Sequence, residues 1–328
     1  MAFDLISFGE AMLRFSPPKG QCIEQACGFD LYVAGSELNA TITAQRLGLQ
    51  TSFITRLTRS PLGSIIANCA RAQGVDISNV VWTDGDRVGL YFFEYGSPPR
   101  PAVAYYDRQD SAFGRSSRHD YQWENILKGS KVFLTSGINL ALNPTIESIT
   151  LEGMQKAKEL GLLVAFDLNY RSRLWSYEAA ARAIRPLLRY VDILFASGDD
   201  ARHILQVDGP LCEDSVLEIA ARYGVNTATI IFNPNENNGP SWRIITAHKG
   251  EVYGAEQRAP VASVDRLGAG DAFAGGFIAG LFESGPELAI KMGNACMALK
   301  NTLQGDICWV TREMVMNYID GDGAMLKR

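Results

Sequence analysis

The 328-residue sequence is poor in the residues that usually announce metal or disulfide chemistry. It has three histidines, His119, His203 and His248, too dispersed for a metal site. Its six cysteines (Cys22, Cys27, Cys69, Cys212, Cys296, Cys308) lack metal-site spacing and are expected to be reduced thiols in the cytoplasm. It has no excess of positive charge: 31 Lys and Arg stand against 36 Asp and Glu, net −5, which gives no footprint for nucleic acid or an anionic membrane. No apolar run approaches the ~18–20 residues needed to span a bilayer. The opening Met-Ala-Phe-Asp-Leu-Ile-Ser-Phe-Gly has no basic segment and reads directly as a strand, so no secretion signal is expected. No Gly-Lys-Ser/Thr follows the glycine-rich turn at 268–270, which excludes a Walker A loop. Phe8-Gly9-Glu10-Ala11 after the first strand is not Gly-x-Gly-x-x-Gly, which counts against a dinucleotide-binding oxidoreductase.

What the chain does have is a large apolar share, 47%, in alternating strand and helix patterns. Apolar runs at 3–8, 51–57, 131–135, 162–168, 192–196 and 227–232 predict buried strands. Helical spacing predicts helices at about 38–48, 61–73, 144–160, 177–190, 213–223, 271–283, 286–303 and 311–319, with a hairpin over 241–246 and 251–254. The expected fold class is therefore α/β, a mainly parallel central sheet flanked by helices. Two segments, 11–35 and 88–107, break the rhythm with β-type runs and no helices between them. They fit either a small separate sheet serving as a lid or an irregular edge of the main one. With no internal repeat or linker, residues 1–328 read as one domain carrying a lid.

The densest chemical signal lies at Val264–Phe277. Gly268-Ala269-Gly270 bends, Asp271 follows, and a small-residue helix runs on. The first amides of a helix lack intrahelical partners and carry the positive dipole end, so they form a ready anion site. A carboxylate beside an anion site is ill suited to bind the anion and better suited to take a proton from a hydroxyl. Together these are the minimum equipment for phosphoryl transfer to an alcohol. Gly275, Gly276 and Gly280, each costing ~0.5–1 kcal/mol in a helix, suggest that something approaches the backbone closely. A plain helix cap with Asp271 placed for the dipole is the competing explanation. A second constellation, Ala34-Gly35-Ser36-Glu37-Leu38-Asn39-Ala40, offers a turn at Gly35 and neutral hydrogen-bonding groups on Ser36 and Asn39 that suit sugar hydroxyls. Ser36 equally suits an N-cap.

Asp265-x-x-Gly268-Ala269-Gly270-Asp271 resembles the C-terminal signature of the ribokinase (PfkB) family of sugar kinases, with Arg266 where the family usually has Thr. Ala34-Gly35 with Ser36 and Asn39 resembles its N-terminal signature. Phe8–Pro18, Thr55-Arg56-Leu57 with Ser60-Pro61-Leu62-Gly63, Gly89-Leu90-Tyr91, Tyr106-Asp107-Arg108 with Ser111-Ala112, and Asn169-Tyr170-Arg171 with Leu174-Trp175 are similar to segments of 2-keto-3-deoxygluconate kinases. The resemblance implies a ribokinase-like fold and an ATP- and Mg2+-dependent kinase. It makes Asp271 the base, gives the Gly268, Ala269, Gly270 and Asp271 amides the transferring phosphoryl group, and forms the sugar pocket from Gly35, Ser36, Asn39, Tyr91, Tyr106, Arg108, Asn169 and Arg171. An acidic sugar's carboxylate needs a partner once water is excluded, and Arg108 and Arg171 suit it, Asp107 orienting Arg108.

On the nucleotide side the chain departs from the family. Ser197-Gly198-Asp199-Asp200 stands where relatives carry Asn-x-x-Glu, so Asp200 is expected to hold Mg2+ through water. An Asn-rich stretch, 233–239, replaces the usual glycine turn near the nucleotide, leaving Gly239 with Asn294, Ser197, Gly268 and Gly270 as candidate nucleotide contacts. Lys300 to Asp306 falls in the family's monovalent-cation region, which implies that K+ helps. Fructokinase and a catalytically weakened sugar-binding homologue are the alternatives. A homodimer is expected through exposed lid strands, since an unpaired edge invites a partner.

Overall fold

The computed structural model describes residues 2–233, 242–256 and 263–321. Eight strands form the main sheet, in spatial order Glu251–Glu256, Arg243–His248, Thr227–Phe232, Ile193–Ser197, Leu163–Asp167, Val132–Ser136, Leu5–Phe8 and Thr51–Ile54. The last six run parallel, and the hairpin at the first edge is antiparallel. The expected mainly parallel sheet is present. Strand periodicity sorts the core into two layers. Ile6, Phe8, Phe133 and Phe166 point to one face, against Ile146, Ile149, Ile184 and Ile219 of helices Pro144–Glu159, Tyr177–Ile184 and Glu213–Tyr223. Leu5, Val132, Leu134, Ala165 and Phe195 point to the other, against Phe273 and Phe277 of helix Ala269–Ser284 and Ile290 of helix Pro286–Asn301.

Local signals set the helix starts. Asn143 caps helix Pro144–Glu159 by accepting from the Ile146 amide (3.0 Å), with proline at the first position. Ser60 does the same ahead of Pro61. The structure departs from expectation in three places. The run 51–57 is two strands: Thr51–Ile54 stays in the main sheet, while Arg56–Thr58 pairs with Val81–Thr83. The helix expected over 177–190 tightens to 3-10 geometry at Arg185–Tyr190, where Pro186 cannot continue an α-helix. Short helices at Trp123–Leu127, Gly137–Leu142 and Gly198–His203 have too few residues to show a period.

The segments that broke the α/β rhythm form a separate four-stranded sheet in the order Asp30–Ala34, Met12–Ser16, Gly89–Glu94, Val103–Asp107. Its residues Leu13 and Val33, with Ala11 just before the strand, belong to one buried cluster with Leu38, Ile42, Phe53 and Ile66. The three helix glycines also find their explanation. A Cβ on Gly275 would strike the Ala40 carbonyl of helix Ser36–Arg46, and Gly276 and Gly280 lie equally close to helix Pro286–Asn301. The close approach comes from neighbouring helices, not a ligand.

Candidate active site

Gly268, at φ +79°, caps helix Ala269–Ser284 in the left-handed conformation that glycine adopts without cost. The Ala272 amide closes the first turn on the Gly268 carbonyl (2.9 Å), so the Gly270 and Asp271 amides have no intrahelical acceptor. The Ala269 amide is directed to the Arg266 carbonyl (3.3 Å), which removes it from the expected anion-binding set. The side of Gly270 where a Cβ would stand is open space.

Asp271, 9% exposed, lies in that first turn. Ser36 Oγ donates to its Oδ1 at 2.7 Å and Asn39 Nδ2 to its Oδ2 at 2.8 Å. Both donors come from the first turn of helix Ser36–Arg46, which packs along helix Ala269–Ser284. Both oxygens of the Asp271 carboxylate are thus oriented by the N-terminal motif, which the resemblance had assigned to the sugar pocket. Ser36 Oγ in turn accepts from Asn169 Nδ2 (2.6 Å), and Asn169, at φ +45°, also reaches Asp167 Oδ2 (3.2 Å). One polar chain therefore runs Asp271–Ser36–Asn169–Asp167, joining the helix start to the carboxyl end of strand Leu163–Asp167, where open α/β sheets place ligands.

Two acidic groups, Asp167 at the end of this chain and Glu37 near it, escaped the sequence reading. Burial pushes the Asp167 carboxyl well above the usual range, and the Asp271 and Asp200 charges push it further. Burial raises Glu37 to about 7, against the opposing effect of a hydrogen bond from Ser136 (2.6 Å). Glu37, Asp167, Asp271 and Ser136 line one small cavity. Asp167 ends an apolar run at the functional end of the sheet, a position that could have marked it. Glu37 sits between Ser36 and Leu38 and gives no such signal.

The remaining candidates divide. Gly35 precedes helix Ser36–Arg46 and turns its open side to the Glu10 carbonyl. Tyr91 is buried and gives its hydroxyl to Asp306 (2.5 Å), leaving its ring stacked at 5.4 Å on Tyr106, which is 40% exposed. Arg108 is oriented by Glu10, to which its Nε donates at 2.9 Å; Asp107, the expected orienting group, pairs with Arg87 (2.6 Å). Arg171 is exposed, its Nη1 donating to the Tyr170 carbonyl (3.0 Å).

Three of the nucleotide-side candidates, Ser197, Asp200 and Asn294, make hydrogen bonds within the fold. Ser197 Oγ accepts from the Asp200 amide (3.1 Å), and Asp200 Oδ2 accepts from the Ser197 amide (3.0 Å), a capping box at helix Gly198–His203. Asp200 is 4% exposed, with burial raising its carboxyl, and the hydrogen bond to the Ser197 amide already engages its Oδ2. Asn294 accepts from Trp242 Nε1 (2.8 Å) and donates to the Glu256 carbonyl (3.2 Å). Gly239 lies outside the described residues. Among those residues no group of three His, Cys, Asp or Glu is placed to hold a metal ion. In the region assigned to a monovalent cation stands the Lys300 ammonium, whose Nζ donates to the Asp265 (3.0 Å) and Leu303 (3.2 Å) carbonyls.

Beside these carbonyls, Arg14 is fully buried between Asp265 (2.8 Å) and Asp306 (2.7 Å). It joins strand Met12–Ser16 of the small sheet to the loop that leads into Gly268.

Comparison with known proteins places the chain in a family. Residues 2–311 match the pfkB family of carbohydrate kinases. The chain is 38% identical to a 2-dehydro-3-deoxygalactonokinase of Haloferax volcanii, with all of both sequences covered. A crystal structure of a 2-dehydro-3-deoxygluconokinase from Thermotoga maritima superposes with a TM-score of 0.91 at 32% identity, covering 98% of this chain and 99% of that one. A putative ribokinase II from E. coli, solved with ATP and Mg2+, shares the fold, with a TM-score of 0.85 at 22% identity over 98% of this chain and 99% of its own. The chain belongs to the PfkB family of carbohydrate kinases, with a ribokinase-like fold.

Proposed function

We propose that this carbohydrate kinase transfers the γ-phosphoryl group of ATP to a primary hydroxyl of a small acidic keto sugar, 2-keto-3-deoxygluconate being the substrate we favour. The observation that carries the reading is the pair of hydrogen bonds from Ser36 and Asn39 to Asp271, which aim a buried carboxylate beside the open first-turn amides of its helix. Asp271 accepts the hydroxyl proton, the freed oxygen attacks the γ-phosphorus in line, and the bond to the bridging oxygen breaks, releasing ADP. The Gly270 and Asp271 amides stabilise the charge on the transferring group. Mg2+ would enter with the nucleotide's phosphates and neutralise their charge; no step here is assigned to a protein ligand for it.

The names of the relatives favour the acidic sugar, since 2-dehydro-3-deoxygluconate is 2-keto-3-deoxygluconate under another name. Glu10 engages Nε and Nη2 of Arg108, which leaves Nη1 for the sugar's carboxylate, and exposed Arg171 is the second candidate for that group. Tyr106 would offer its ring face to the sugar carbons. The small sheet would act as the lid of a single domain, and its exposed Phe29, Leu31 and Tyr105 support pairing of two copies there.

The test is ATP consumption against 2-keto-3-deoxygluconate, its galacto epimer, fructose, ribose and nucleosides, with the wild type and Asp271→Asn. Turnover with a keto acid is expected, and the variant should lose on the order of a thousandfold in kcat while still binding sugar. A full-speed variant overturns the role of Asp271, and preference for fructose overturns the acidic substrate.

A further inference from the structure

Lys300 is among the largest side chains with no exposed surface. Burying an ammonium costs several kcal/mol even after relaxation, so its position calls for an explanation. Its Nζ donates to the backbone carbonyls of Asp265 (3.0 Å) and Leu303 (3.2 Å). These carbonyls belong to two irregular segments that meet at the anion site. One is the loop from Asp265 to Gly268, and the other is the turn from Leu303 to Asp306 after helix Pro286–Asn301. The segments are joined by the Gly305 amide to Asp265 Oδ2 (3.1 Å), and just before the loop the Val264 amide donates to the carbonyl of Asn301, the last residue of helix Pro286–Asn301 (2.7 Å). The Asp306 carbonyl then fills the space beside Gly268.

Backbone carbonyls converging from irregular chain are how proteins replace the hydration shell of K+. An ammonium is close to K+ in size and charge, and it needs only three acceptors. Charge counting agrees. Arg14 and Lys300 already balance Asp265 and Asp306 in this buried cluster, so an added K+ would leave one uncompensated positive charge.

We propose that the Lys300 ammonium is a tethered monovalent cation. It holds the Asp265–Gly268 loop and the Leu303–Asp306 turn in the geometry of the anion site, and it makes phosphoryl transfer independent of added K+. Lys300 is a positioning residue, touching neither sugar nor nucleotide. The inference replaces the K+ contribution implied by the sequence resemblance. It rests on the reading that the Gly268–Asp271 turn is the phosphoryl-transfer centre.

The experiment compares wild type, Lys300→Ala and Lys300→Met in buffers whose only added monovalent cation is tetramethylammonium, K+, NH4+ or Na+ at equal ionic strength. Wild-type kcat should change less than about twofold among them. Lys300→Ala should lose on the order of tenfold to a hundredfold in tetramethylammonium and regain most of it in K+ or NH4+ but not Na+. Lys300→Met, which fills the space without charge, should lose a similar factor that no cation restores. Wild-type activation by K+ overturns the proposal, as does a Met variant at full speed or an Ala variant that responds alike to all cations. Melting temperatures need no substrate: Lys300→Ala alone should be stabilised selectively by K+ and NH4+. If the wild type phosphorylates no sugar in any salt, the assignment of the transfer centre fails. The melting data then still decide whether Lys300 stands in for a cation.

Discussion

The backbone carbonyl of Asp306 occupies the space beside Gly268 where a side chain would begin. Gly268 is also held at φ +79°, so a substitution there meets both a steric block and an unfavourable backbone conformation. Neither obstacle can move without displacing the loop that ends at Asp271. Gly268→Ala should therefore lower kcat by at least about a hundredfold, the usual cost of losing one donor to a developing oxyanion. Steady-state kinetics on folded variant, checked by circular dichroism, measure it. A variant within tenfold of wild type would show that the anion site does not depend on this turn.

Glu37 gives the protein a pH dependence of stability with a definite sign. Burial lifts its carboxyl from 4.5 to about 7, so the folded chain holds the proton more tightly than the unfolded one. The stability it contributes is complete below about 4.5 and is lost as pH rises through about 7. The loss is on the order of 3 kcal/mol at one pKa unit per 1.36 kcal/mol. Asp167, raised for the same reason, acts in the same direction. Urea midpoints between pH 4.5 and 8 should fall with rising pH in the wild type and fall less steeply in Glu37→Gln. Equal slopes in the two proteins would remove Glu37 as the cause.

Asp200 is the third-position partner of Ser197 in a capping box. Asp200→Ala removes the acceptor for the Ser197 amide and should cost about 1 kcal/mol of stability. The Mg2+ concentration giving half-maximal rate should stay where it is in the wild type. A tenfold shift in that concentration would restore Asp200 as the group that organises the metal's water.

The sequence made the elements legible where local chemistry decides them. Asn143-Pro144 marks a helix start, and apolar runs mark buried strands, because cap and period lie within a few residues. The run 51–57 was misread because the break at Thr55 depends on a partner strand, Val81–Thr83, that no local pattern shows. The same limit applies at the site. The residue types at Ser36, Asn39, Asn169 and Asp271 were readable as polar groups near a ligand. That the first two hold the last is a relation across 235 and 232 positions, visible only once two helices pack together. Glycine in helix Ala269–Ser284 shows the converse: close approach was readable, but its partner was a helix. At Lys300 the resemblance pointed to a region for a monovalent cation, but only the two carbonyls its ammonium meets show that a side chain stands there.

Among the described residues every strand precedes residue 257, whereas the carboxylate at the centre of the candidate site is residue 271. As the chain is synthesised from its amino end, Ser36, Asn39 and Asn169 exist long before the carboxylate they arrange. Loop closure over so many residues comes late in folding. A growing chain can thus assemble its sheets before residue 271 has left the ribosome, and the polar chain Asp271–Ser36–Asn169–Asp167 closes only when helix Ala269–Ser284 docks on helix Ser36–Arg46.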